Sequence, residues 1–567
     1  MTMRIMKKRY IPTLMAGLLF ATAFTSCDFL DTSESTYYDK DEILYDPSRV
    51  YQLCTQVYTY LPNGLTGLSG ALQDAATDDA IHVYPTANVQ RFVNGSWSAN
   101  RTVDDVFSDY YQAIHDANFY LENCLGLTYD DWKNSDGFQD TYNSYLNYEH
   151  EVRLLRAFYY FELAKRYGNV PLVTKTLSAE EASAVKPTNA ESILKFVIDE
   201  CTAVAEKLPA KVTTLPGAAA NMQRVSKGTA LALKSRATLY LASPLFNPNK
   251  DVKRWEDAAK AAYDVIDKSS EFGYKLDSKY NNLFGPTNNQ SSEVIMCVPG
   301  GETTSFESNN FPIGVNKGNG NTCPTENLVD AYEMANGDVF DWNNPAHAAN
   351  PYKSRDPRMK MTIVCNGDKW PAKEAVETFI GGKNGQPLLN ATTTGYYLRK
   401  YVNNKVTFEA GQTTKNFHHN WVVMRYAEIL LNYAEAAAEA YGPDATPAGF
   451  TLSACEAVNM VRQRPEVKMP KFPKGMTKEA FIKRLRNERR VEFAFEGQRF
   501  WDLRRWKALD EMKNIYKVEI KKGSDGKLSY ERLPLTTYDI QDKLYFYPFA
   551  NAELYKNRNL KQNPGWE

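Results

Sequence analysis

The sequence predicts a mostly α-helical protein in which paired helices form an interrupted repeat, broken by a large loop-rich insertion that carries short strands. Three observations predict it. Apolar residues recur near a 3.6-residue period in segment after segment, and small residues line several of those helices. Between Ser270 and Asn420 the texture changes, and Gly, Asn, Thr and Pro cluster between strand-like runs.

Taken in order, the chain opens with Arg4, Lys7, Lys8 and Arg9, an apolar stretch from Ile11 to Phe24, and then Thr25, Ser26 and Cys27. This is the pattern of a secretory signal. The apolar stretch is about 14 residues, whereas a helix crossing a hydrocarbon core needs about 20. Phe24-Thr25-Ser26-Cys27 looks like a bacterial lipobox, with Phe24 where Leu is usual, so residues 1–26 read as a lipoprotein signal and Cys27 as the acylated N-terminus. The alternative is ordinary cleavage after Ser26. Residues 27–47, rich in Asp and Glu, read as a flexible tether, and 48–567 as the folded domain.

Helical patterns follow at Asp104 to Leu125, Asn143 to Tyr167, Glu191 to Leu208, Lys227 to Leu241 and Trp255 to Lys268. In the second of these Val152, Leu155, Tyr159, Leu163 and Tyr167 share a face, and Gly168 and Pro171 end it. A further group runs Val423 to Tyr441, Leu452 to Arg462 and Lys478 to Phe495. Small residues such as Ala230, Ala232, Ala237 and Ala242, or Ala434 and Ala436 to Ala438, let helices approach closely. Such pairs resemble tetratricopeptide repeats, with spacings too variable for a strict 34-residue period. The repeats are expected at about 48–270 and 421–510, and the insertion, with strand runs Glu293 to Val298 and Tyr396 to Tyr401, at about 270–420. Binding residues usually sit on irregular segments held by a rigid scaffold. The insertion and the loop from about Gly64 to Arg101 are therefore where a ligand is expected.

Composition narrows the function. Lys and Arg number 67 against 68 Asp and Glu, with no long basic run after the signal, which argues against nucleic acid. Among the aromatics, 36 Tyr outnumber 27 Phe and 9 Trp, which suits surfaces that must be apolar and hydrogen-bonding at once. Cys54, Cys124, Cys201, Cys297, Cys323, Cys365 and Cys455 are odd in number and lack a CxxC pair, so no disulfide framework is expected. HExxH, G-x-S-x-G and GxxxxGK are absent, and His418-His419 cannot share one helix face. No metal, cofactor or catalytic residue is predicted. A glycoside hydrolase, whose two carboxylates are set by a separation in space that sequence does not display, remains the enzymatic alternative.

The tail from Asn487 to Trp506, NERRVEFAFEGQRFWDLRRW, places Glu488, Glu492 and Glu496 on one helix face with Arg499 within reach of Glu496, a spacing that favours a structural ion-pair network. This stretch resembles the C-terminal signature of the SusD/RagB family of nutrient-binding lipoproteins. Arg425 to Ala436, Asn559 to Trp566, Leu154 to Phe161 and Arg166 to Leu172 resemble further family motifs, in the family's order. The resemblance implies a lipid-anchored protein of the outer-membrane cell surface with tetratricopeptide-like helices. It would act as a non-catalytic lid on a partner SusC-like TonB-dependent transporter, capturing oligosaccharide or polysaccharide. Some relatives take peptides or glycopeptides, so that alternative stays open.

Asp78-Asp79-Ala80 and Gly95 to Ser98 resemble the family's first loop, where an acid and a Trp face the ligand. Trp97 is thus the first candidate contact, with a packed loop anchor as its alternative. Asp79 is the expected acceptor and Tyr84 a second ring. Phe306 and Phe311, large rings among Ser, Asn and Gly, are further candidates. So is Arg399, whose forked donors reach two hydroxyls or pair with a carboxylate. Asp330 to Met334 and Arg355 to Met359 match family patterns and are expected to serve the fold.

Overall fold

The computed structural model describes residues 38–212, 223–371 and 373–567. The signal segment and Cys27 lie outside them. The first described helices are α1 (Lys40–Tyr45) and α2 (Pro47–Tyr58), and the acidic residues expected to belong to a tether form their caps. Asp39 accepts the Glu42 N–H while Glu42 accepts that of Asp39, and Asp46 accepts the Ser48 N–H. A short carboxylate beside a free helical N–H favours helix over extended chain. The tether expectation therefore fails from Asp39 onward.

The main helices are α3 (Phe107–Asn123), α4 (Phe138–Tyr167), α5 (Ala190–Ala205), α6 (Lys227–Ala242), α7 (Val252–Asp267), α8 (Tyr426–Tyr441), α9 (Ala454–Arg462) and α10 (Lys478–Glu492). Each of α3 to α8 packs on the next, so α7 meets α8 across the whole insertion, and α8 also carries α9 and α10. Sequence explains the closeness. Ala230, Ala232, Ala237 and Ala242 in α6 and Ala434, Ala436, Ala437 and Ala438 in α8 are all fully buried, so backbones approach without side chains between them. Ser226 and Thr229 start α6 with reciprocal caps, and Gly168, at φ 70°, ends α4 as the pattern predicts.

Two boundaries differ from the sequence reading. The run predicted as helix from Val423 begins as a strand, Trp421–Arg425, paired antiparallel with Val294–Val298. The helix starts only at Tyr426, because the tertiary partner outweighs local propensity. Beyond the expected repeats, a hairpin pairs Asn514–Lys522 with Leu528–Thr537. Elsewhere short strands stitch the insertion to the first loop, Ala80–His82 pairing Thr322–Pro324, and to itself, Ile363–Val364 pairing Tyr397–Leu398. All seven cysteines of the described residues are buried and unpaired.

A buried ion network fastens insertion to scaffold. Glu488 accepts from Arg358 at 2.6 Å and Arg462 at 2.5 Å. Glu492 accepts from Arg358, Arg425 and Arg464 at 2.8 to 2.9 Å. Glu496, one turn past the helix end, takes Arg425 at 2.7 Å and Lys400 at 2.8 Å. The expected Arg499 to Glu496 pair does not form. The chain turns at Phe495 and Gly497, both at positive φ, and Arg499 faces Asp78 and Glu511 instead. Burial alone raises the Glu492 carboxyl, but Arg464, Arg425 and Arg358 outweigh it and hold it well below the usual range.

Candidate functional site

Lys400, held by Glu496, the Ala494 carbonyl and the Tyr280 hydroxyl, is the fixed point on which the insertion's cavity is built. Its neighbours Arg399 and Tyr401 face an opening of about 300 Å³, at the small end of ligand sites. Asn281, Phe284, Trp370, Asn403 and His419 complete the chemistry of its wall.

The rings are set by packing. The Tyr401 ring stacks on Trp421, centroids 5.7 Å apart and planes at 29°, and meets Phe284 edge-on at 5.0 Å. The Arg399 guanidinium lies 5.9 Å from the centre of the Trp370 ring. Trp370 and Tyr401 are 4% and 5% exposed, so each ring presents a narrow strip to the cavity rather than a broad platform.

Three groups of the residues on this wall lack partners among the described residues, and two of them are sealed from the opening. The Tyr401 hydroxyl and the Asn403 side-chain nitrogen are buried without a hydrogen bond, a costly state for a polar atom. Burial holds the Tyr401 phenol well above its ordinary value, so it stays a proton donor. Tyr401 also has φ 64°, which a bulky aromatic adopts only where its surroundings enforce it. Among the described residues the Arg399 guanidinium makes no hydrogen bond or ion pair beyond its approach to Trp370, and burial lowers its pKa despite the charge of nearby Asp368. By contrast His419 is committed, to Glu307 at 2.8 Å and to the Phe417 carbonyl.

On the far side of the Tyr401 and Trp421 stack a second cavity, about 470 Å³, opens between the first loop and the scaffold. Tyr60, Trp421 and Trp501 line it, with Asp104, Glu162, Lys165 and Arg166. These charges are spent on one another. Arg166 binds Asp104 at 2.9 Å and Glu162 at 2.5 Å, and Lys165 binds Glu162 at 2.6 Å.

Of the six residues singled out from sequence, only Arg399 lines the insertion's cavity. Trp97 is 4% exposed and meets Phe92, Tyr547 and Trp566 edge-on at 4.7 to 4.8 Å, so it anchors the loop in the core instead of facing solvent. Asp79 is fully buried, bound by Arg490 at 2.6 Å, because α10 brings a cation to it. Tyr84 is half-buried beside His82, away from the cavity. Phe306 and Phe311 are buried too, and they back the wall: Phe306 packs on His419 at 5.9 Å and Phe311 on Trp370 at 6.0 Å. Trp370, Tyr401 and Asn403 were missed. Tyr401 stands in the same aromatic run as Arg399, but its left-handed backbone has no signature in a non-glycine residue.

The fold and the motifs have known counterparts. Residues 292–566 match the model of the SusD family, and residues 28–239 match a model described as starch-binding, associating with the outer membrane. The SusD-like protein P25 of Formosa agariphila is 22% identical, over 86% of this chain and 88% of its own length. A crystal structure of a SusD-like protein from Bacteroides fragilis is 27% identical and superposes with a TM-score of 0.75, covering 93% of this chain and 98% of the other. A laminarin-binding SusD-like protein, 21% identical, shares the fold at TM-score 0.63 over 91% of this chain and 99% of its own. Among the described residues no helix is long and apolar enough to cross a membrane. With two family models in sequence order and the same architecture across nearly its whole length, the chain belongs to the SusD family of carbohydrate-binding proteins.

Proposed function

We propose that the protein captures oligosaccharide or polysaccharide at the cell surface and passes it to a partner SusC-like TonB-dependent transporter, without chemistry of its own. The observation that carries the reading is the insertion's cavity, where ring edges border an Arg399 guanidinium left without a hydrogen-bond partner among the described residues in a SusD-family fold. A sugar offers an apolar CH face and hydroxyl acceptors. The strips of Trp370 and Tyr401 suit the first, and the Arg399 guanidinium suits the second. Glycosidases need two carboxylates flanking the bond, and no Asp or Glu lines this cavity, which supports a non-catalytic role. Acylation at Cys27 would anchor the domain, in keeping with the outer-membrane association of the matched family. Arg399 is kept from the sequence reading as a ligand contact, and Trp97, Asp79, Phe306 and Phe311 are reassigned to the fold.

The test is calorimetry of the purified protein against plant, host and microbial polysaccharides and against peptides, with product analysis on the same samples. Binding without hydrolysis is the expected result. Turnover of a glycan would make the protein an enzyme, and binding of peptides alone would move it to the peptide-binding alternative.

A further inference from the structure

We infer that the insertion's cavity selects saccharides bearing an acid group, a uronate carboxylate or a sulfate ester, with Arg399 as the residue that reads it. The inference rests on the glycan-binding reading above and names its substrate class.

The argument is one of charge. Among the residues that line the cavity there is no Asp or Glu, while Arg399, Lys400, His418 and His419 all lie on its wall. Three of these have countercharges behind them. Lys400 binds Glu496 at 2.8 Å, His419 binds Glu307 at 2.8 Å, and His418 stands 3.4 Å from Glu302. Arg399 has none within ion-pair distance among the described residues, and the carboxylate of Asp368, which contributes to its field, is occupied with the Cys365 N–H at 2.9 Å. A half-buried guanidinium without a countercharge is costly, and an oxyanion from the ligand removes that cost. The chemistry of the pair agrees: a guanidinium is donor-only and a carboxylate or sulfate acceptor-only, so the fork of Arg399 matches either oxyanion. Space agrees as well. A cavity of about 300 Å³ whose rings show only their edges takes one sugar unit with its substituent, not a long flat chain.

The second cavity shows the contrast. Its Lys165 and Arg166 are already bound to Glu162 and Asp104 and its Arg236 to Glu428, so among the described residues it offers an anion no free cation of the kind Arg399 provides.

The experiment measures Kd by calorimetry for three size-matched ligands: a neutral β-glucan oligosaccharide, an oligogalacturonate and a sulfated oligosaccharide, each at low and high salt. At least one acidic ligand is expected to bind about ten-fold or more tighter than the neutral one, with the preference shrinking in salt. Comparing carboxylate with sulfate identifies the oxyanion. In Arg399→Gln the acidic-to-neutral ratio is expected to fall to about one, and Arg399→Lys to restore part of it, since lysine keeps charge but loses the fork. Binding of the neutral glycan as tightly as the acidic ones, or an unchanged ratio in Arg399→Gln, overturns this inference and leaves glycan capture standing. Failure to bind any of the saccharides overturns both.

Discussion

The helical stack and the insertion are held together by different physics. In the stack, α3 to α8 bury alanines, leucines and tyrosines against one another, and half of these helices carry their own side-chain start signal, Asn189 for α5, Ser226 for α6 and Asp251 for α7. Order there is local and repetitive. The insertion has strands of two to five residues and draws its order from elsewhere, from Arg358, Lys400 and Glu293 reaching the acids and arginines of the α9 and α10 region. A region stabilised by its neighbours can hold residues that a self-sufficient one would reject. Tyr401 at positive φ and the uncompensated Arg399 are such residues, and both border the cavity. The comparison teaches that the scaffold contributes rigidity while the insertion contributes the ligand's surroundings, and that the ion network joins them.

The strongest way to break this picture is Glu492→Ala. It takes one carboxylate from three buried arginines, which keep Glu488, Glu496 and Glu293, and leaves the network with an uncompensated positive charge, so it is expected to destabilise the protein by about 3–5 kcal/mol in urea or thermal denaturation, the range for one partner removed from a buried ion pair. A loss of only a few tenths would mean that the insertion stands on its own. Trp97→Ala tests the other side. Its indole fills a nest of Phe92, Tyr547 and Trp566, and the substitution is expected to cost about 3–4 kcal/mol, read as a lower melting temperature. If glycan affinity disappeared while stability stayed put, Trp97 would return to the ligand.

Acid titrates the same join gradually. Glu488, Glu492 and Glu496 are held below the ordinary glutamate value of 4.5 once their arginines outweigh burial, so they stabilise the fold above about pH 4.5. That contribution is lost as pH falls through the depressed values. Asp74 runs the other way. Burial, then the charge of Asp79, push it up to about 7, so its contribution grows as pH falls from 7 toward the ordinary aspartate value of 3.8. Denaturation curves across pH are therefore expected to strengthen from pH 7 toward 4.5, as Asp74 takes its proton, and to weaken steeply below, as the three glutamates take theirs. A protein equally stable at pH 3 would mean that the network is not what holds the halves.

The smallest expected effect sharpens the comparison most. Tyr401→Phe removes a hydroxyl that bonds nothing in the free protein, so stability should move by less than about 0.5 kcal/mol. Affinity for a bound saccharide should hold within about two-fold, because that hydroxyl is sealed from solvent and only the rest of the residue borders the cavity. A larger loss of affinity would mean that the hydroxyl turns into the cavity when a saccharide binds.

Much of the scaffold was legible before any coordinates. Periodicity, caps and stop signals are written within a few residues of the helices they govern, so Asn189 opens α5 and Gly168 closes α4 close to where the pattern puts them. The family motifs are equally local, and the acids of the Asn487 to Trp506 run entered ion pairs as their spacing suggested. Their partners were not legible, since Glu488 meets Arg358 from 130 residues earlier and Arg499 meets Asp78 rather than Glu496. The site followed the same rule. An aromatic in a polar loop looks ligand-facing in sequence, yet Trp97 is covered by Tyr547 and Trp566 from the far end of the chain, while Phe306 and Phe311 stand one layer behind the wall they were expected to form. Sequence by itself determined the helical class, the family and the segment that holds the cavity, because those follow from local period and motif. Which ring, donor or cation stays open to a ligand was decided only by tertiary structure, because exposure is what remains after every distant residue has taken its place.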